Sequence, residues 1–156
     1  MVNKSTAKEV ITAMKNLASR ILVAYDGSEL GRKALETAVR IAEQDSGVAL
    51  HVLHVLEPLI VPAYNPGIVD LWERRQESAE ILMAEVRELL QTLANPVTLH
   101  IENGQPGERI VHTAREQQCD LIIMGSRGLT GIKEIFLGSV SHYVAQRSEC
   151  PVLIVK

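Results

Sequence analysis

GSRGLTGIKEIFLGSVS, residues 125–141, sets glycines and hydroxyls on both sides of a short apolar insert. The residues before it, CDLIIMG (119–125), form an apolar run of strand length, and GSVSHYVAQRS (138–148) has the spacing of a short helix. Strand, glycine turn and helix in succession make one βα unit. Its neighbours on either side decide whether the chain repeats that unit.

They do. RILVAY (20–25) is a continuous apolar run that ends in Asp26-Gly27-Ser28, and from residue 29 to about 44 Leu30, Ala34, Leu35, Ala38, Val39, Ile41 and Ala42 recur at helical spacing. A second strand spans 48–56, after which Pro58, Pro62, Pro66 and Gly67 interrupt regular structure. A long helix is expected over 69–93, stopped by Asn95-Pro96, then a strand over 97–102 and a helix from Pro106 to 118. PVLIVK (151–156) supplies a fifth strand. Strands this apolar, alternating with amphipathic helices, imply a parallel sheet covered on both faces: an α/β, doubly wound single domain. Residues 19–156 make up that domain, and residues 1–18 are expected to be an extension in which Val10, Ile11, Met14, Leu17 and Ala18 follow Ser5 at the spacing of a short amphipathic helix.

Composition narrows the function. The chain has 156 residues, a net charge of −3 and a pI near 6.0, with acidic and basic residues interspersed, which argues against nucleic acid as a partner. No run approaches the ~18 apolar residues of a membrane span. Cys119 and Cys150 lie far from any CxxC spacing, which suits a reducing cytoplasm, and they read as small apolar residues rather than reactive thiols. His51, His54, His100, His112 and His142 show no metal-ligand spacing, and structural roles are expected for them.

In a doubly wound sheet a ligand sits beyond the carboxyl ends of the strands, where strand order reverses. Those ends carry Asp26-Gly27-Ser28, Leu56-Glu57, Asn103-Gly104 and Gly125-Ser126-Arg127-Gly128. Two readings of the opening stretch stand side by side. Gly125 and Gly128 form a turn and Ser139 a helix cap, or glycines and hydroxyls together make an anion cradle at a helix N-terminus. Asp26 either caps the first helix with Ser28 or reaches a ligand. Arg127 contacts a phosphate or faces water, and Lys133 reads as a solvated loop residue. A P-loop would require GxxxxGK[ST], and no lysine precedes Ser139.

The spacing Gly125-x2-Gly128-x9-Gly138-Ser139, between DLIIMG and PVLIVK, closely resembles the nucleotide-binding signature of the universal stress protein family. ILVAYDGSELGRKALETAVRIA, LHVLHV and GQPGERIVHTAREQQCDLIIMGSRG extend that resemblance over about residues 19–156. It implies an adenine nucleotide alpha hydrolase-like, Rossmann-like sheet of order 3-2-1-4-5 with four helices, and ATP or another adenine nucleotide as ligand. Carried over by position, Ala24 and Asp26 lie at the end of the first strand, with Asp26 meeting the ribose or a nucleotide-bound Mg ion. Val55 offers backbone groups to adenine, Met124, Gly125 and Gly128 line the ribose and phosphate turn, and Gly138, Ser139, Val140 and Ser141 hold the phosphates. Arg127 lies between the two glycines. The resemblance also implies a homodimer through residues 151–156. The expected function is a cytoplasmic, nucleotide-responsive stress module, open to an unidentified protein partner, with the proline-rich loop 57–67 as a lid; the alternative is a slow ATP hydrolase or phosphotransferase using the same site.

Overall fold

A computed structural model describes residues 18–59, 67–128 and 137–156. The expected N-terminal helix, Pro62 and Pro66 of the lid loop, and Lys133 lie outside the described residues. Five strands form one parallel sheet in the order β3-β2-β1-β4-β5, as expected: β1 (Arg20–Ala24), β2 (Ala49–Leu56), β3 (Val97–Asn103), β4 (Leu121–Gly125) and β5 (Val152–Val155). Four helices connect them within the described residues: α1 (Glu29–Ala42), α2 (Ile68–Leu90), α3 (Pro106–Glu116) and α4 (Ser139–Arg147).

The absence of alternation in β1 has a direct cause. Ile21, Leu22 and Val23 are each 0% exposed, so both faces of the central strand are covered. Ile21 and Val23 pack with Ala34, Leu35 and Ala38 of α1 and Met83 and Val86 of α2. Leu22 faces the other way, into a cluster with Ile122, Met124, Ile110 and Ala114 of α3, and Val144 of α4. The edge strand β5 is only half-buried along its length. Among the described residues no helix is long and apolar enough to cross a membrane.

Several ends fall inside the expected boundaries, because local capping stops the helix first. α1 ends at Ala42 rather than 44, where the chain tightens into Gln44 N–H to Ile41 O and Asp45 N–H to Ala42 O bonds. Buried Asn95, expected only to stop a helix, also sets its Nδ2, whose two hydrogens are shared among three acceptors, 3.0, 2.8 and 2.9 Å from the carbonyls of Ala42, Asp45 and Val48. It thereby ties the end of α1 to the start of β2. Strand β4 begins at Leu121 rather than Cys119. Gln118 adopts φ 53, its N–H bonds to Arg115 O at 3.0 Å, and Cys119 N–H bonds to Ala114 O at 2.7 Å. That pair of bonds is a Schellman cap on α3, and it occupies the residues expected to open the strand.

Candidate functional site

The order β2-β1-β4 places the reversal of winding between the carboxyl ends of β1 and β4. Beyond β1, Tyr25 N–H still reaches Leu53 O at 2.9 Å, and the chain then turns through Gly27 at φ 78. Ser28 is the N-cap of α1, its Oγ accepting from Gly31 N–H at 2.9 Å. Asp26 supports this turn through Oδ1, which accepts from Ser28 N–H at 3.0 Å. Its other oxygen points across the site: a Cβ on Gly128 would lie 2.7 Å from Asp26 Oδ2, and one on Gly31 2.7 Å from Oδ1. The carboxylate is lodged between two residues that lack side chains. Ser28 therefore caps the helix, while Asp26 braces the turn and faces the glycine loop.

Beyond β4, close approach accounts for the glycines. A Cβ on Gly125 would lie 2.8 Å from Leu30 Cβ and 3.1 Å from Arg127 O, nearer than packed atoms tolerate. Ser126, a strand-end residue to which the sequence assigns no role, is 1% exposed and organises the loop. Its N–H bonds to Val155 O at 2.8 Å, and its carbonyl accepts from Gly138 N–H at 2.7 Å and from Ser141 Oγ at 2.9 Å. The signal for it was its position one residue past an apolar strand, but a lone serine in a glycine loop does not announce a buried anchor. These bonds bring the start of α4 against the end of β4.

Gly138 is the N-cap of α4 and has no side chain to cap it, so among the described residues the first-turn N–H groups of the helix are left for another acceptor. Ser139 is exposed at that terminus, Val140 is half-buried against the α3–α4 cluster, and Ser141 is 2% exposed. The Ser141 hydroxyl has one proton and two protein acceptors, Ser126 O and Gly138 O, each at 2.9 Å. Its side chain thus ties the loop to the helix, and only its backbone N–H faces the terminus. Gly128 is exposed and Arg127 half-buried in the same loop. Ala24 and Met124 are paired neighbours on β1 and β4 that form the floor.

Val55 stands on the other side of β1. Leu53 O faces Tyr25 N–H, and backbone groups alternate sides along a strand, so Val55 turns its N–H and C=O the same way, past the point where β1 ends. An apolar hollow of about 550 Å³ lies further along this edge, between Leu56, Pro58 and the Ile68, Val69 and Trp72 start of α2. It shares no residue with the glycine loop. Elsewhere, His51 Nδ1 lies 3.1 Å from His100 Nε2 across β2 and β3, and His54 Nδ1 lies 2.9 Å from Tyr25 O. Among the described residues no three histidine, cysteine, aspartate or glutamate side chains converge to hold a metal. Among the described residues the arrangement is rich in backbone donors, with Asp26 as its carboxylate, which suits holding an anion.

The family model of the universal stress proteins matches residues 18–156. Universal stress protein YxiE of Bacillus subtilis is 37% identical over 148 residues, spanning 88% of this chain and 99% of that protein. The solved structure of MJ0577, a universal stress protein of Methanocaldococcus jannaschii, superposes with a TM-score of 0.81 at 32% identity, over 90% of this chain and 96% of that one. Two further structures share the fold and were solved with adenine nucleotides: a universal stress protein in complex with cAMP (TM-score 0.68, 24% identity, 90% and 98% coverage) and an Arabidopsis thaliana family protein with AMP bound (0.62, 21%, 88% and 91%). The sheet order, the continuous match over all five strands and these relatives together establish that the chain belongs to the universal stress protein family.

Proposed function

We propose that the loop between β4 and α4 binds the phosphates of an adenine nucleotide, with ATP as the preferred ligand, and that the chain acts as a nucleotide-responsive regulatory module. The observation that carries this reading is the N-terminus of α4, which no described side chain caps, held by Ser126 beside Gly125 and Gly128, where no Cβ stands. Backbone N–H groups there meet a partial positive helix end, the combination that favours phosphate. Hydrogen bonds to a charged acceptor contribute about 1.5–3 kcal/mol each. Val55 offers one donor and one acceptor in the place where an adenine edge would be read. The bound AMP and cAMP of the family proteins described above support the ligand class.

Asp26 faces Gly128 and is the side chain that would meet the ribose or a Mg ion carried by the nucleotide. The Asp26 carboxylate favours a second reading, slow metal-dependent hydrolysis, which predicts ADP release lost in Asp26→Ala while binding persists. The half-buried, apolar β5 closes the sheet and supports a homodimer formed by pairing of its outer edge. The deciding experiment releases nucleotide from freshly purified protein by denaturation and identifies it by chromatography and mass, alongside Gly138→Val. ATP present in the wild type and absent from the variant is the expected outcome. If neither protein carries nucleotide and millimolar ATP produces no heat on titration, the glycines serve only as turns.

A further inference from the structure

We propose that Cys119 and Cys150 form a reversible dithiol–disulfide pair, a redox modification site at the end of β4 opposite the glycine loop. Cys119 is set by the Schellman cap on α3: Gln118 at φ 53 reverses the chain, and the Cys119 side chain turns into the cluster of Ala114, Ile122 and Val144. Cys150 stands just before β5 and packs against the same cluster. β4 and β5 are paired neighbours, Ile122 opposite Val152, and each cysteine lies two residues before its strand, Cys119 before Leu121 and Cys150 before Val152.

Both thiols also line one cavity of about 210 Å³, with Ala114, Arg115 and Ser148 among its other walls. Ser148 Oγ lies 3.5 Å from the Cys150 sulfur and accepts from Cys150 N–H at 3.2 Å, holding the half-buried residue at the cavity wall. Burial first, and the nearby Cys150 second, push the Cys119 thiol up to about 12. Cys119 is therefore the slow partner, and Cys150 is the one that meets an oxidant first.

With a peroxide as oxidant, the Cys150 sulfur attacks one peroxide oxygen and becomes a sulfenic acid as water leaves. The Cys119 sulfur then attacks the Cys150 sulfur, forming the S–S bond; the departing hydroxide takes the Cys119 proton and leaves as a second water. Two electrons pass from the thiol pair to the peroxide. The ring so closed, residues 119–150, contains Gly125, Gly128 and Gly138 through Ser141, so oxidation links the two ends of the segment that bears the glycine loop.

The test exposes the reduced full-length protein to hydrogen peroxide, and separately to diamide, at pH 7 and pH 9. Remaining thiols are blocked with iodoacetamide in denaturant, and peptides are mapped by mass spectrometry with and without dithiothreitol. The expected product is a peptide pair joining Cys119 to Cys150 within one chain, reversed by dithiothreitol and formed faster at pH 9. In Cys150→Ser, whose folding is checked by its melting curve, Cys119 should remain alkylatable. Full alkylation of both wild-type thiols under conditions that oxidise glutathione, links only between chains, or over-oxidation of Cys150 without a link would each overturn the proposal. None of these readouts depends on nucleotide binding.

Discussion

Gly128→Ala separates the two uses of glycine in the loop. The added Cβ would lie 2.7 Å from Asp26 Oδ2, about 0.7 Å inside the shortest ordinary contact, and the atom it meets is the end of a side chain. Asp26 can yield by rotating away, since among the described residues its carboxylate is held at Oδ1, by Ser28 N–H at 3.0 Å. Folding stability should therefore change by less than about 1 kcal/mol, within the range of substitutions that meet no core atom. The ligand side responds differently, because either the carboxylate or the loop must leave its place. Losing one hydrogen bond to a charged group, about 1.5–3 kcal/mol, corresponds to a roughly 10- to 150-fold weaker ATP affinity. Gly125→Ala is the contrast: its Cβ would meet Leu30 Cβ at 2.8 Å and Leu30 C and Arg127 O at 3.1 Å, and backbone cannot rotate away. A stability loss of about 1–3 kcal/mol is expected there. Calorimetric titration with ATP and a urea melt on each variant read the two effects apart. A well-folded Gly128→Ala protein that binds ATP within threefold of wild type would refute the assignment of this loop to the ligand.

Three further outcomes follow from the packing. Asn95→Ala leaves the Ala42, Asp45 and Val48 carbonyls without their shared donor and should cost about 2–4 kcal/mol, seen as a melting temperature lower by about 6–12 °C; an unchanged melt would refute the role assigned to it. Burial first, with His100 and Arg20 adding to it, holds His51 below its usual range; burial likewise lowers His100 against the opposing pull of Glu102. Both therefore stay neutral longer in the folded chain, so their contribution is intact above pH 6.5 and is lost as pH falls through the lowered values; the urea midpoint should drop between pH 7 and 5, and less steeply in His100→Gln. In β5 the Pro151 and Val155 carbonyls face β4, so Ile154 turns its N–H outward, and Ile154→Pro should leave the internal ladder intact while blocking pairing between copies. Light scattering should then report a dimer for the wild type and a monomer for the variant; two monomers would remove the proposed edge contact.

Much of this architecture is written locally. Ile21, Leu22 and Val23 are apolar in succession because the strand is buried on both faces, and the recurrence of Ala34, Leu35 and Ala38 marks the face α1 lays against it. Those patterns need only a few neighbouring residues to be read. Ends were less legible, since Gln118 carries no mark of the φ 53 that begins β4 two residues late. The order of the strands was legible only through the family resemblance, because parallel strands of equal apolarity bear no label naming their neighbours.

From the sequence alone came the α/β class, the succession of strands and helices, and the glycines and Asp26 at the carboxyl ends, all consequences of short-range periodicity and backbone preference. Only the tertiary structure decided how those residues are used. Asp26 is lodged between Gly31 and Gly128, Ser141 donates to Ser126 rather than outward, and Cys119 shares a cavity with Cys150. Each depends on segments from several to a hundred residues apart meeting within a few ångströms, and such distances are fixed by the packing of helices across the sheet, which no local stretch encodes.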